Sequence, residues 1–482
     1  MNASIAALEP TKVWSEFAQI LQLPRPSGHE ENIVNYLVNY AHEHNFAVAL
    51  DEAGNVIMKI DATEGREHSP RVILQAHMDM VPVAADGIAH DFLQDPIDAY
   101  IDNDYVKAYG TTLGADDGIG IATILALISD ENLSHGPLTA IFTVEEETTM
   151  KGALGVSASD LEGEYLINLD SEENGLLYIG CAGSCDVNLS FKTEKIAVED
   201  CVGLKLSLNG FLGGHSGADI NLGHANAISI LALVLSDLSS DFDFFISDLS
   251  GGVVRNSIPS KASVTLNVPS EHAVAFKEAC QKSFDKIIAT YRRLETKAAL
   301  SLCDCACTHC LSYAQSLSLV NLLLALPHGV KRMSDIDPSI VETSANLGTV
   351  KTCAESIDIC LMPRSLKEQG LDEMIAYIEA CAMLLDNVEI SYEHRHACWL
   401  SSDHNALIDN MQKSCQQLNL KPLKITLMHA GLETATFAKT APNLQLVSLG
   451  ATIYNPHSPQ ERVNIQGVGE IYNIVKHTLE KL

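Results

Sequence analysis

Arg71-Val72-Ile73-Leu74-Gln75-Ala76-His77-Met78-Asp79 is the stretch from which the fold can be predicted. Its apolar run is typical of a strand covered on both faces, and in open α/β sheets ligands gather at the carboxyl ends of such strands. Side chains two residues apart on a strand point the same way, so His77 and Asp79 should share a face. There the carboxylate can hold the imidazole by a hydrogen bond or face a reacting centre. Taken alone, an ordinary polar loop would explain the same residues.

The pattern of an apolar strand followed by acids or a histidine recurs three more times. The strands are residues 138–144 before Glu145-Glu146-Glu147, 165–169 before Asp170, and 444–449 before His457. A further acidic pair, Asp116-Asp117, opens an apolar helix that runs to Ile128, where either acid could also be a simple helix cap. Three adjacent carboxylates after a buried strand are costly unless water or a cation neutralises them.

The candidate metal ligands are two imidazoles and three carboxylates. They are His77, Asp116, Glu147, Asp170 and His457. This donor set suits two divalent ions, with zinc first and cobalt or manganese as substitutes. Two such ions can share a carboxylate and a water, lower the pKa of that water and polarise a carbonyl. The reaction then needs a free carboxylate as base, and Glu146 fits that role.

The chain of 482 residues is too long for a single core, so two domains are expected. Strands and helices alternate on both sides of a long middle section, which predicts one α/β domain, a mixed sheet flanked by helices, split by an insertion. The middle section mixes strands and helices, which predicts an inserted α+β domain. The expected ranges are 1–186, 187–397 and 398–482.

A capping-box pattern, Ser27 with Glu30, follows the break 24–28 and precedes the helix expected to end near His44. In such a box the serine hydroxyl accepts a hydrogen bond from the backbone N–H three residues later. The sequence therefore predicts that Ser27 begins this helix.

The charge balance excludes several classes of partner. The formal net charge is −31, which repels phosphate backbones and anionic lipid surfaces, so no nucleic acid is expected to bind. Apolar runs long enough to cross a bilayer are absent from the sequence, and its start lacks the features of an export signal. We therefore expect no membrane association and a cytoplasmic location.

Thirteen cysteines fit reduced thiols better than a disulfide framework, because the count is odd and no export signal is evident. Five potential zinc ligands cluster at Cys303, Cys305, Cys307, His309 and Cys310. Their spacing is unlike that of structural zinc sites, and the first three cysteines alternate like one face of a strand. Packed or exposed thiols are favoured over a zinc site there.

Six segments, in this order, resemble the M20 family of co-catalytic metallopeptidases, and within it the aminoacyl-histidine dipeptidases. They are PRPSGHE (24–30), QAHMDMVP (75–82), LGADDG (113–118), LDSEE (169–173), GGHSG (213–217) and HAGLE (429–433). The resemblance covers essentially the whole chain. It implies a zinc-exopeptidase-like catalytic domain interrupted by an inserted α+β domain that serves as a lid.

The resemblance also implies how the ligands divide between two ions: His77 and Asp170 on one, Glu147 and His457 on the other, and Asp116 bridging. Asp79 would orient His77, and Glu146 would act as general base and then as acid towards the leaving amine. A cis peptide after Asp116 is a further implication.

The register within Glu145-Glu146-Glu147 is set by the segment 150–153, which makes Glu146 the base and Glu147 the ligand. Glu145 then takes a variable position. A shift by one residue is the alternative, because Thr149 stands where the family usually has glycine.

Four residues would bind substrate according to the resemblance. His215 in the lid would support the oxyanion, or be an ordinary turn histidine among glycines. Asn256 and Arg364 would contact the substrate's carboxylate or oxyanion, or be structural surface residues. Glu433 would pair with the free amino group, which would distinguish a terminal amine from an internal amide.

The sequence thus predicts a metal-dependent dipeptidase that hydrolyses Xaa-His dipeptides, including β-alanyl-histidine, through a two-metal-activated water. The alternatives are another M20 amidohydrolase, such as a tripeptidase or an N-acyl amino acid deacylase, and a metal-binding homologue without turnover. The expected partner is a small peptide substrate. A homodimer is compatible with the sequence, and His215 could then serve its own or a neighbouring subunit's site.

Overall fold

A computed structural model of the chain describes residues 2–402 and 405–482. The chain forms two compact units. The first consists of Met1–Gly180, Trp399–Leu427 and Leu432–Leu482, and the second of Cys181–Cys398 and Met428–Gly431. The second unit also takes in a short segment that the sequence-based division assigned to 398–482. The lid role and the boundaries 1–186, 187–397 and 398–482 stay predictions.

The helices and strands of the described chain alternate along the first unit and are mixed in the second. The α-helices are α1 (Thr11–Ile20), α2 (Glu31–Glu43), α3 (Ala115–Ile128), α4 (Lys151–Gly155), α5 (Ala227–Leu238), α6 (Ala273–Ile288), α7 (Tyr313–Ala325), α8 (Glu368–Ala382), α9 (Ala406–Gln417), α10 (Thr434–Thr440) and α11 (Ile465–Leu479). The strands are β1 (Ala47–Leu50), β2 (Val56–Ile60), β3 (Val72–His77), β4 (Ala99–Asp102), β5 (Tyr105–Ala108), β6 (Leu138–Thr143), β7 (Tyr165–Asn168), β8 (Leu176–Cys181), β9 (Gly183–Lys192), β10 (Ile196–Ala197), β11 (Cys201–Asn209), β12 (Phe245–Gly251), β13 (Ala262–Pro269), β14 (Ala299–Cys305), β15 (His309–Cys310), β16 (Gly329–Met333), β17 (Val341–Thr352), β18 (Ser356–Ser365), β19 (Val388–His396), β20 (Trp399–Leu400), β21 (Lys424–Met428), β22 (Gln445–Ser448), β23 (Ile453–Tyr454) and β24 (Arg462–Asn464). None of these helices is both long and apolar enough to span a membrane.

The first unit is built around a mixed nine-stranded sheet in the order β1-β2-β6-β3-β7-β22-β8-β20, with β21 paired to β8. Its centre is parallel: β3 pairs with β6 and β7, and β22 pairs with β7 in the same direction. All six side chains of β3 are buried, as the apolar run predicts. Because the central strands are parallel, their carboxyl ends meet at one edge of the sheet. The mixed α/β fold predicted for this part of the chain is confirmed.

Helix α3 is buried along its whole length, and it packs against β3 and α1. Its side chains have no polar face, which is the pattern of a helix covered on all sides. The peptide bond between Asp116 and Asp117, in its first turn, is cis, as the resemblance implies.

The predicted capping box at Ser27 is wrong. Helix α2 begins at Glu31, and its N-cap residue, Glu30, makes no side-chain capping bond. The Ser27 hydroxyl instead donates a 2.7 Å hydrogen bond to a carboxylate oxygen of Asp79. A hydrogen bond from a hydroxyl to an ionised carboxylate is stronger than one from a neutral backbone N–H to the hydroxyl. The contact with Asp79 therefore prevails over the helix cap.

The second unit contains another nine-stranded sheet, in the order β14-β11-β13-β12-β17-β18-β9-β19, with β16 paired to β17. Helices α5 to α8 supply apolar side chains to its core. Along β9, Val187, Leu189 and Phe191 are buried in that core, whereas Asn188 and Ser190 are partly exposed. One face of the sheet is therefore covered, and the predicted α+β character of the insertion is confirmed.

Candidate metal centre

Five side chains that the sequence marked as ligands lie together in the first unit. The Nε2 atom of His77, at the end of β3, is 3.0 Å from one oxygen of Asp116 and 3.3 Å from an oxygen of Asp170. The Nε2 atom of His457 is 3.1 Å from the other Asp116 oxygen and 2.8 Å from Glu147. The fold thus joins residues from five separate segments into one cluster.

The cluster contains overlapping groups of possible ligands, each with its donor atoms within 4.8 Å of one another. They are His77 with Asp116 and Asp170, Asp116 with Glu147 and His457, and His77 with Glu146 and Glu147. The first two groups share Asp116, and its two oxygens face different imidazoles. A carboxylate in that position can be a ligand to two ions at once.

The three consecutive glutamates after β6 differ in direction. Glu146 and Glu147 belong to a ligand group with His77. Glu145 accepts hydrogen bonds from the Thr149 hydroxyl at 3.0 Å and from the Lys151 ammonium group at 3.1 Å. This placement favours the register in which Glu145 is the variable residue.

Asp79 connects the histidine to the glutamate loop. Its carboxylate lies 3.3 Å from the Nδ1 atom of His77, on the opposite side of the ring from the cluster. The same carboxylate accepts hydrogen bonds from the backbone N–H groups of Glu146, at 3.0 Å, and Glu147, at 3.2 Å. Because Asp79 is fully buried, the two backbone bonds fix its carboxylate beside the imidazole and tie both glutamates to it.

Negative charge is in excess at this cluster. Burial, reinforced by Asp116, raises the pKa of Glu147 to about 7. Burial, followed by Asp116 and Asp170, raises the pKa of Glu172 to about 9. Burial by itself would lower the pKa of His457, but hydrogen bonds with Asp116 and Glu147 raise it to about 11. Buried carboxylates that attract protons so strongly fit divalent cations, which supply the opposing charge.

Arg25 and Glu461 frame the cluster, and sequence reasoning gave them no role. The buried Arg25 guanidinium donates to the carbonyl oxygens of Met78 at 2.7 Å, Asp79 at 2.8 Å and Gly114. Arg25 lies within the quoted motif 24–30, so that signal was present. It ties together two of the segments that carry candidate ligands, the one after His77 and the one before Asp116.

Glu461 acts on one of those segments alone. Its carboxylate accepts hydrogen bonds from four consecutive backbone N–H groups, those of residues 113–116, at 2.7 to 3.4 Å. A single glutamate in a polar segment carries no sequence signal for such a role. Glu172, in the quoted motif 169–173, is a third residue that was given no role.

Glu433 lies in the first unit and is fully buried. One carboxylate oxygen accepts hydrogen bonds from the Gln75 amide at 2.6 Å and the Thr143 hydroxyl at 2.7 Å. The other oxygen has no hydrogen-bond partner in the described chain. Burial raises the pKa of Glu433 to about 7. An unsatisfied buried carboxylate oxygen is a suitable partner for an ammonium group.

The other predicted substrate residues lie in the second unit. Arg364 is buried, and its guanidinium contacts the Ser216 hydroxyl at 3.3 Å and the Met362 sulfur at 3.4 Å. His215 is half-buried, and its Nδ1 atom accepts a hydrogen bond from the Ala218 N–H at 3.0 Å. Asn256 is exposed, and its carbonyl oxygen accepts a bond from the Ser216 N–H.

A family model described as Peptidase family M20/M25/M40 matches residues 73–481. The chain belongs to this family. Membership makes it a hydrolase of peptide bonds, and the resemblance inferred from the sequence is confirmed. The M20 match includes the segments that carry His77, Asp116, Glu147, Asp170 and His457.

Two M20 relatives match the chain over nearly its full length. The cytosol non-specific dipeptidase of Escherichia coli is 36% identical over 482 residues, covering 100% of this chain and 99% of the relative. The crystal structure of aminoacylhistidine dipeptidase from Vibrio alginolyticus is 35% identical with a TM-score of 0.85, covering 99% of this chain and 98% of that one. A tripeptidase of Staphylococcus aureus, 15% identical with a TM-score of 0.59 and covering 98% of both chains, shares the fold.

Proposed function

We propose that the protein is a two-zinc dipeptidase that hydrolyses Xaa-His dipeptides, β-alanyl-histidine among them, in the cytoplasm. The observation that carries the proposal is Asp116, whose oxygens lie 3.0 Å from the His77 imidazole and 3.1 Å from the His457 imidazole. The nitrogen and oxygen donors of the cluster fit zinc, with cobalt or manganese as substitutes. When bound, two such ions lower the pKa of a water and polarise the scissile carbonyl.

The protein's own residues then have separate tasks. His77 and Asp170 would hold one ion, Glu147 and His457 the other, and Asp116 both. Glu146, adjacent to the ligands and not needed as one, would take a proton from the attacking water and give it to the leaving amine. Burial and the nearby Asp170 raise the pKa of Glu146 well above its usual value, which suits a group that must hold a proton in mid-reaction.

Recognition of a dipeptide needs groups for both of its charged ends. The unsatisfied oxygen of Glu433 would accept a hydrogen bond from the substrate's ammonium group. The buried guanidinium of Arg364 would bind the substrate carboxylate. Asn256 would contact the same carboxylate or the oxyanion, and His215 would support the oxyanion. These roles follow the resemblance, and the burial of Glu433 and Arg364 supports them.

The choice of histidine as the second residue is supported by the Vibrio alginolyticus enzyme, whose name states an aminoacylhistidine substrate. The Escherichia coli relative is named a non-specific dipeptidase at similar identity. A dipeptidase of broad specificity is therefore the second candidate. The word "cytosol" in the name of the Escherichia coli relative also supports the proposed location.

The test is release of free amino acid from dipeptides by protein stripped of metal with a chelator and then resupplied with zinc. The substrates are β-alanyl-histidine, leucyl-histidine, leucyl-glycine and an N-acetylated amino acid. We expect zinc-dependent cleavage confined largely to the two histidine dipeptides. Equal cleavage of leucyl-glycine would establish the broad dipeptidase instead.

Cleavage of the N-acetylated amino acid alone would overturn the dipeptidase proposal in favour of a deacylase. If two zinc ions bound and no substrate were cleaved, the protein would be a metal-binding homologue without turnover. Metal content should be measured in each sample, because loss of metal and loss of chemistry then give different results.

A further inference from the structure

A cluster of cysteines in the second unit has no part in the proposed peptidase chemistry. All thirteen cysteines of the chain are thiols. Cys303 and Cys305 lie on β14, at the edge of the second sheet. Cys307 lies in the turn between β14 and β15, and Cys310 is the last residue of β15. None of the possible metal-ligand groups in residues 2–402 and 405–482 includes a cysteine.

The sulfur atoms of Cys307 and Cys310 lie 3.3 Å apart. Four-residue Cys-x-x-Cys turns of this kind occur in proteins that exchange thiols and disulfides. A disulfide has an S–S bond of about 2.05 Å, so a small side-chain movement within the turn would bring the two sulfurs to bonding distance. The pair is therefore arranged for a reaction within one chain.

Asn267 on β13 holds both ends of the turn. Its side-chain amide donates hydrogen bonds to the Cys307 carbonyl oxygen at 2.9 Å and to the Cys310 sulfur at 3.3 Å. Asn267 is buried, so these bonds are shielded from water. One residue thereby fixes the turn backbone and the orientation of the inner thiol.

The two thiols differ in access. Cys307 is half-buried, and its neighbours Ala306 and Thr308 are exposed, so this turn lies at the surface of the unit. Cys310 is fully buried, and burial, with a contribution from Cys307, raises its pKa to about 12. An accessible thiol beside a protected one is the arrangement of an attacking and a resolving cysteine.

We propose that Cys307 and Cys310 form a reversible redox site at which a hydroperoxide converts the two thiols into an intramolecular disulfide. In the first step the Cys307 sulfur attacks the outer peroxide oxygen and the O–O bond breaks. Cys307 becomes a sulfenic acid, and the other oxygen leaves as water from hydrogen peroxide or as an alcohol from an organic hydroperoxide. In the second step the Cys310 sulfur attacks the Cys307 sulfur, the S–O bond breaks, and water leaves. The two thiols lose two electrons and two protons, which the peroxide accepts, and a dithiol reverses the change.

The site is independent of the metal centre and of the proposed peptidase activity. Its test uses the full-length, reduced, chelator-treated protein exposed to hydrogen peroxide. Remaining thiols are blocked with iodoacetamide under denaturing conditions, disulfides are reduced, and the released thiols are labelled with N-ethylmaleimide. We expect a loss of two thiols per chain, with the second label on Cys307 and Cys310 together.

Matched variants separate this pair from ordinary surface thiols. Cys307→Ser should abolish the second label on Cys310, whereas Cys353→Ser should leave the pair unchanged, because the Cys353 thiol contacts the carboxylate of Asp358. In Cys310→Ser, oxidation should stop at a sulfenic acid on Cys307, which a dimedone probe traps. Dimedone trapping thus tests the first step separately from disulfide formation, which requires the turn to keep its position.

Three results would overturn the proposal. They are a disulfide that joins Cys307 to Cys303 or Cys305, oxidation of Cys307 to a sulfinic acid without any disulfide, and zinc bound by the reduced thiols after the chelator treatment. The last would indicate a thiolate metal site and should be measured as zinc released on alkylation.

Discussion

Two buried polar clusters of the chain carry charge of opposite sign. In the first unit, burial and neighbouring acids raise the pKa values of Glu147 and Glu172, to about 7 and about 9. In the second unit, burial lowers the pKa of Arg364 to about 10. Burial, with Arg364 and His215, lowers the pKa of His429 to about 3. In both clusters the pKa shifts disfavour the charged form of these side chains, the carboxylates in the first unit and the protonated bases in the second.

Asp130, a third buried group, shows that burial does not disfavour the charged form everywhere in the chain. Asp130 contacts Lys12 at 2.8 Å and Lys476 at 2.6 Å, and the two lysines hold the pKa of its carboxyl group well below the usual value, although burial opposes them. That network ties α1 and α11 to the end of α3, and it is complete in itself. The two clusters with unbalanced charge are therefore candidates to bind ligands, cations in the first unit and an anion in the second.

The strongest test of the acidic cluster is Glu146→Gln. The proposed base loses its ability to take a proton while keeping its shape, so kcat should fall by about 10²- to 10⁴-fold with two metal ions still bound. The measurements are initial rates on an Xaa-His dipeptide and metal content by elemental analysis. The matched control is Glu145→Gln, whose carboxylate faces Thr149 and Lys151 and whose loss should leave the rate unchanged. If Glu145→Gln were the inactive variant, the register of the three glutamates would have to shift.

The basic cluster is tested by Arg364→Met. Loss of a charge-assisted hydrogen bond worth roughly 1.5 to 3 kcal/mol should raise KM for a dipeptide by about 10- to 100-fold. A dipeptide amide, which lacks the carboxylate, should be almost unaffected by the change. Arg395→Met is the control, because Arg395 already has the carboxylate partners Glu368 and Asp372. An equal loss with both substrates would show that Arg364 is structural.

The frame around the acidic cluster is tested by Glu461→Gln. The amide can accept at one oxygen only, so part of the support for residues 113–116 is lost and Asp116 moves away from its position. Zinc affinity should fall by about tenfold or more, as is typical when a partner of a ligand is removed. A competing chromophoric chelator measures it. Glu470→Gln is the control, because Glu470 lies in α11 and contacts Asn174 and Gln466, so its loss should leave zinc affinity unchanged. A normal zinc affinity in Glu461→Gln as well would contradict the role of Glu461.

The smallest expected effect is on thermal stability. His457 has a raised pKa in the folded chain, so its stabilising contribution is complete below about pH 6.5 and is lost towards pH 11. Glu147 and Glu433, each with a pKa raised to about 7, destabilise the folded chain once pH exceeds their unfolded values. Metal-free protein should therefore unfold at a lower temperature as pH rises from 6 to 9.

Zinc requires two of these groups, the ligands Glu147 and His457, in their deprotonated form, so the stabilisation by zinc should increase over this range. The measurement is the difference in Tm between zinc-loaded and chelator-treated protein, by scanning calorimetry at pH 6 and pH 9. Because both samples share every other titrating group, the difference isolates the cluster. A difference that shrinks with pH would mean that the metal binds elsewhere.

Local pattern was sufficient to predict the central part of the fold. The apolar runs before Glu145 and Asp170 are the buried strands β6 and β7, because a strand with both faces covered has little tolerance for polar residues. The same reasoning placed His77 at a strand end. The ordered motifs were specific enough to indicate the family, and the family match bears this out.

Long-range contacts decided what local pattern could not. Ser27 had the sequence of a helix cap, yet its hydroxyl bonds to Asp79, fifty-two residues away. Glu461 bonds to N–H groups more than three hundred residues earlier, and no local signal marks it. The partner of each side chain depends on which distant segment the folded backbone brings next to it. Residue type and local spacing do not predict that partner.

The sequence by itself predicted the candidate ligands and their order along the chain, because donor atoms and strand periodicity are local properties. The resemblance of its ordered motifs indicated the family and, with it, the class of chemistry. Only the tertiary structure decided that Asp116 turns one oxygen to His77 and the other to His457, and that Glu145 points away. It also decided that the thiols of Cys307 and Cys310 touch. Distances between side chains depend on packing across the whole unit, which is why they emerge only when the chain is folded.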